Sequence, residues 1–213
     1  MNWLSHVFLS ENDIEHQLGN LLTDALKAKA WEGAGQGFYR GIETHQKIDA
    51  FTDAHAMVKQ SKERLDKKGY LKAVVIDIVY DYCLSVHWER FASVGLDVFL
   101  LDFHTKARQE IHNYPEEAHR VTTRVIDNNI LGSYRDFKGL EEGFKRIDKR
   151  LSPRILKKDT ALSYLPLVIK NIKEIEEDFL IFFPELMAYV AEDLDKDLLG
   201  HWNSTRASLK FFN

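Results

Sequence analysis

The chain has 213 residues, with 29 Lys and Arg against 33 Asp and Glu for a formal net charge of −4, and 45% of it is hydrophobic. That balance excludes a disordered chain, because there is enough apolar material to offset chain entropy, and a protein that is basic overall and grips nucleic acid by charge alone. The lone cysteine, Cys83, excludes an intramolecular disulfide and a cysteine zinc site.

The pattern is helical almost throughout, with four prolines and eleven glycines as punctuation and little strand-like alternation. Met1 to His6 lacks the basic region and long apolar stretch of a signal peptide. No apolar run approaches the ~20 residues that span a bilayer, so the expectation is a cytoplasmic, reduced compartment with no membrane contact. Residues 2–10 form a short apolar start. Residues 14–31 read as a helix, with Leu18, Leu21, Leu22, Ala25 and Leu26 on one face. Gly33, Gly35 and Gly37 mark a break, and 38–66 read as one long, largely polar helix. Residues 70–92 are the most apolar helix, Leu71 through Trp88, apolar around most of its circumference and so central. Cys83 lies within it as a small buried side chain. Further helices are expected at 96–113, 115–131, 137–150 and 160–193. Pro115 with Glu116 and Glu117 fits a helix start, and Pro184 marks either a kink or a new first turn. No repeat or linker is evident, so one all-α domain over 1–213 is expected.

Three constellations carry chemistry. His45, Asp49 and Asp53 stand four apart, and each such step turns only ~40° around a helix. The imidazole and two carboxylates therefore share a face, near enough to hold one metal ion. On spacing alone, a solvated face beside Lys47 and Lys59 is the simpler reading. Asp77 and Asp81 also share a face, but on the most apolar helix, where carboxylates are costly unless paired, hydrogen-bonded or metal-bound. That shifts the balance toward function, although capping or pairing with surface arginines remains open. His87 lies ~80° around the helix from Asp77 and either flanks the site or stacks on aromatics. Asp24 closes Gly19-Asn-Leu-Leu-Thr-Asp24, where Gly19 and Asn20 permit a close backbone approach. Asp24 and His6 are weak signals alone. Imidazole and oxygen ligands with no thiolate suit Mn²⁺, Mg²⁺ or Fe²⁺ better than a structural zinc. Metal-assisted phosphoester hydrolysis is the matching reaction class.

Taken together, Met1-Asn-Trp-Leu-Ser-His6, Gly19 to Asp24, Gly41-Ile-Glu-Thr-His45 with Lys47-Ile-Asp49 and Thr52-Asp53, Asp77-Ile-Val-Tyr-Asp81, Leu84-Ser85, His87-Trp88, and Phe179 through Phe183-Pro184 to Met187-Ala188 resemble the acyl carrier protein phosphodiesterase family. Trp3 and Thr44 depart from the family pattern, and 96–165 carries little that matches. The resemblance implies an all-α helical bundle related to the HD-domain phosphohydrolases. It implies hydrolysis of holo-acyl carrier protein to the apo-protein and 4′-phosphopantetheine, with Mn²⁺ as the expected metal. It implies Asp24, His45, Asp49, Asp77 and Asp81 as ligands or water-orienting groups, with His6 as a further ligand and His87 as a further catalytic candidate. Other readings are a related hydrolase of a small nucleotide or other phosphoester, and a helical carrier-protein-binding module without catalysis.

The carrier protein that the family acts on is small, acidic and helical, so a net-negative enzyme needs a local basic surface to meet it. Lys59, Lys62, Arg64, Lys67, Lys68 and Lys72 form one candidate group. It is preferred because it joins the two helices bearing the expected ligands. Lys145, Arg146, Lys149, Arg150, Arg154, Lys157 and Lys158 form a second. Charge runs are usually solvated helix faces.

Overall fold

The computed structural model describes residues 1–65 and 68–203. Among these residues the chain is helical, joined by short turns, with a single antiparallel bridge between Ala92 and Trp202 and no strand. α1 (Trp3–Phe8) is short and almost wholly buried. α2 (Ile14–Leu22) opens where the Asp13 side chain accepts the His16 backbone N–H at 2.8 Å, satisfying one orphan donor of the first turn. It ends well before residue 31. Lys27 and Ala28 both take φ of 54°, a left-handed conformation that a right-handed helix cannot contain.

The stretch 38–66 is two helices, α3 (Gln36–Ala54) and α4 (Ala56–Arg64). The break is His55, extended at φ −71° and ψ 136°, whose Nδ1 accepts the Met57 N–H at 3.2 Å and so caps α4. Neither glycine nor proline announces it. α5 (Lys72–Val86) stops at His87 and is followed by the single turn α6 (Trp88–Phe91). α7 (Leu96–Glu110), α8 (Glu116–Asp127) and α9 (Phe137–Asp148) lie where expected. Pro115 stands just before α8 as its cap residue. The turn α10 (Pro153–Leu156) was not anticipated; Ser152 caps it and Pro153 occupies its first position. The stretch 160–193 divides into α11 (Leu165–Lys170) and α12 (Ile172–Ala191), and α12 runs on through Pro184.

α5 is the central helix, packed by α1, α4, α9 and α12. Val75, Ile76, Ile78, Val79, Tyr80, Cys83 and Leu84 are all buried. Burial pushes the Cys83 thiol well up, so the side chain is an inert filler. α12 supplies Phe179, Phe182 and Phe183 to the same continuous core. It is locked to α4 by buried Asp178, which accepts from Arg64 Nε at 2.7 Å, Arg64 Nη2 at 2.9 Å, Gln60 at 2.9 Å and the Ser61 hydroxyl at 2.8 Å. Four donors on one carboxylate offset the cost of burying its charge.

α2 and α3 form the most extensive helix pair. They touch backbone to backbone because Gly19 and Gly41 face the partner helix. A Cβ at Gly19 would collide with the Phe38 carbonyl, and one at Gly41 with the His16 carbonyl. Gly41→Ala would ordinarily gain ~1 kcal/mol of helix propensity. Here the collision is with backbone, and overpacking of this kind costs about 1–3 kcal/mol. Gly41→Ala is therefore expected to lower the thermal midpoint read by circular dichroism; an unchanged or raised midpoint would show that the crossing is not tight.

Candidate metal centre

The α2–α3 crossing and α1 together bring three side chains to one point. His6 comes from α1, and His45 and Asp49 from α3. The two imidazoles stack with centroids 4.0 Å apart and planes 13° from parallel. His6 Nε2 lies 3.3 Å from Asp49 Oδ1, and His45 Nε2 lies 3.1 Å from Asp49 Oδ2. The candidate ligand atoms of the three residues lie within 4.8 Å of one another.

Asn20 of α2 orients both rings. Its amide nitrogen donates to the His6 carbonyl at 2.9 Å and the Ser10 hydroxyl at 3.0 Å. Its side-chain oxygen is therefore the acceptor for His6 Nδ1, at 2.7 Å. Its backbone carbonyl accepts from His45 Nδ1, also at 2.7 Å. Each Nδ1 is thus the protonated nitrogen, and in a neutral ring each Nε2 carries a bare lone pair. Both Nε2 atoms are buried and lack a hydrogen-bond partner. Imidazoles held through Nδ1, with Nε2 aimed at a carboxylate, are the arrangement that metal-binding histidines adopt. These residues fit a divalent cation.

The electrostatics agree. Burial pushes the Asp49 carboxyl up, but the neighbouring His45 and His6 outweigh it and hold Asp49 well below the usual range. Burial lowers His45, yet Asp24 and Asp49 overcome this and raise it to about 9. Burial and the adjacent His45 lower His6. Without a metal, one proton on His45 serves as the cation between the rings and the carboxylate.

Two further aspartates border the centre. Asp24 Oδ1 is 3.4 Å from His45 Nε2, on a side chain that is 82% exposed. Asp77 faces the same region, and the buried Met1 amino group bridges Asp49 and Asp77 at 3.3 Å to each. Asp24 and Asp77 also line a cavity of about 460 Å³.

Three of the expected residues stand elsewhere. Asp81 is fully buried, but its oxygens turn to the start of α1, accepting from Leu4 N at 2.9 Å and from Ser5 N at 3.0 Å, with the Ser5 hydroxyl also bound. Asp81 anchors α1 through these bonds and lies outside the His6, His45 and Asp49 cluster. Burial raises its carboxyl to about 6 even against these donors. His87 sits at the far end of α5, 3.7 Å from Glu176, on a different cavity from that of Asp24 and Asp77. Asp53, one turn beyond Asp49, is exposed and faces Lys62. His6, by contrast, is central although it is isolated in sequence. Asn20 was read only as permitting close approach; its own side chain and carbonyl do the orienting.

The preferred basic group does not reach the centre. Arg64 is committed to Asp178, Lys62 faces Asp53, and Lys67 lies outside the described residues. The cavity is bordered instead by Arg146 and Arg150 of the second group, with Arg120 and Arg124.

The family model described as acyl carrier protein phosphodiesterase matches residues 1–186. The chain belongs to the acyl carrier protein phosphodiesterase family. Among individual relatives, it is 26% identical over 197 residues to an acyl carrier protein phosphodiesterase of Photorhabdus laumondii, covering 90% of this chain and 94% of that one. It is 24% identical over 193 residues to that of Salmonella dublin, covering 90% and 98%. It is 28% identical over 141 residues to that of Escherichia coli O6:H1, covering 64% and 72%. No solved structure matches. For a member of the acyl carrier protein phosphodiesterase family, His6, His45 and Asp49 are the residues best arranged to hold a metal. Asn20→Ala removes the amide that orients His6 while leaving all three in place. Loss of such a partner typically weakens metal affinity ~10–100-fold, and Mn²⁺ titration calorimetry reads it; an unchanged Kd would move the metal away from His6.

Proposed function

We propose that this chain hydrolyses the phosphodiester joining 4′-phosphopantetheine to a serine of acyl carrier protein, with a divalent metal held by His6, His45 and Asp49. The convergence of two buried Nε2 atoms on one carboxylate, in a chain of this family, carries this reading. Asp24 and Asp77 complete the site as outer ligand or water-orienting groups. The donor set has no thiolate, which favours Mn²⁺, Mg²⁺ or Fe²⁺, and Mn²⁺ is the first choice. The HD-type relationship implied by the sequence resemblance belongs to the same reading.

A bound divalent ion polarises the phosphoryl oxygens and lowers the pKa of a coordinated water. The chain's own residues do the rest. Asn20 keeps both Nδ1 atoms protonated, so each Nε2 is free to bind. Asp49 supplies negative charge between the rings. Asp24 is exposed beside His45, where its carboxylate accepts a proton from an attacking water without leaving solvent reach. Asp77 sits on the central helix at the cavity wall, fixed by packing rather than by a loop. Asp81 secures α1 and with it the position of His6.

Mass spectrometry of holo-carrier after incubation with the protein and Mn²⁺ tests the reaction. The expected result is loss of the phosphopantetheine arm, abolished by a chelator. His6→Ala and His45→Ala should each lower turnover by roughly 100-fold or more, since each removes a ligand. His87→Ala should retain activity, because His87 lies on another cavity. An intact carrier arm, or a His45→Ala protein as active as the wild type, would refute the proposal.

A further inference from the structure

The cavity lined by Asp24 and Asp77 shares Arg124, Arg146 and Arg150 with a second groove of about 740 Å³. Lys138 and Lys149 line the outer part. Arg120, at the rim, is paired with Glu117. Arg124, Arg146 and Arg150 form no ion pair among the described residues, and Arg124 Nε is buried without a hydrogen-bond partner. The three lie close together. The guanidiniums of Arg124 and Arg150 stand 5.8 and 5.3 Å from the centroid of the same Trp3 ring, and that of Arg146 lies 5.5 Å from the neighbouring Tyr134 ring. Burial, together with the charges of Arg124 and Arg146, pulls Arg150 below its ordinary value. Like charges gathered on an aromatic floor repel one another unless an anion joins them.

Resting on the carrier-protein reading above, we propose that this groove docks an acidic segment of the protein substrate, whose carboxylates pair with Arg124, Arg146 and Arg150 and thereby seat the neighbouring phosphodiester over His6, His45 and Asp49. Arginine is suited to the task because its planar fork binds a carboxylate through two hydrogen bonds. The double groove is far larger than one phosphoryl group, so the ligand is extended. Asp136 and Glu142 also line it, but Asp136 caps α9 and Glu142 pairs with Lys145, so both charges are already engaged. A chain of net charge −4 thus presents its metal centre beside a local positive surface, which steers an acidic partner and sets its register.

The test compares two substrates in the full-length protein loaded with Mn²⁺. One is holo-carrier; the other is bis(4-nitrophenyl) phosphate, which has no acidic segment. Lys149→Gln with Arg150→Gln removes two exposed cations, and Arg124→Gln removes the half-buried one. KM for the carrier is expected to rise roughly tenfold or more, with kcat within about twofold and a flatter dependence on salt. The rise should be at least tenfold larger for the carrier than for the small diester. An unchanged carrier KM overturns the proposal. So does an equal loss on both substrates, which would place the arginines at the scissile phosphate. If the wild type cleaves the small diester but never the carrier, the proposed function fails separately. Titration of apo-carrier then decides the groove: binding that the variants weaken supports it, and binding that they leave alone, or no binding at all, overturns it.

Discussion

Two imidazole nitrogens with bare lone pairs, set against one carboxylate in a buried site, need a cation between them. Lone pairs facing a carboxylate repel, and burial removes the water that would screen them. Either a proton or a metal ion must join the three. Asp24 and Asp49 favour a proton on His45, and the donor set with the orienting amide of Asn20 also suits a metal ion. Much of the surrounding architecture can be understood as what it takes to hold His6, His45 and Asp49 in this position.

Two devices achieve it. The first is the glycine-to-backbone crossing of α2 and α3, through which the Asn20 carbonyl reaches His45 Nδ1. The second is the carboxylate of Asp81, which rises from the central helix α5 to meet the first backbone amides of α1. A negative charge at a helix start is favourable because the unpaired N–H groups and the helix dipole both point there. The same bond fixes His6 on one side of α1 and Trp3 on another. One buried aspartate thereby sets the position of His6 and the floor of the arginine groove together.

The sequence carried the helical class, the central helix and part of the His/Asp cluster. His45 and Asp49 were legible because four-residue spacing alone puts them on one face. Asp53 has the same spacing and points to solvent, because each step of four drifts around the helix and the α1–α2 side ends at Asp49. Asp81 was rightly marked as too costly to bury unpartnered. Its partner, however, is the backbone of a helix 76 residues distant in sequence, which no periodicity shows. His6 was undervalued for the same reason, since its meaning depends on Asn20 and on α3. The break at His55 stayed hidden because a histidine cap mimics a helix interior. That Arg64 and Lys62 face local carboxylates is a tertiary fact, as is the position of Arg146 and Arg150 beside the cavity, where they form no ion pair among the described residues.

The central claim is that His6, His45 and Asp49 bind one cation together. Pulsed electron paramagnetic resonance of the Mn²⁺-loaded protein tests it most directly, because nitrogen nuclei bonded to Mn²⁺ modulate the echo. Modulation from two histidine nitrogens, reduced to one in His6→Ala or His45→Ala alone and lost in the double variant, is the predicted result. A signal with no histidine nitrogen, or one that neither substitution alters, would contradict the account.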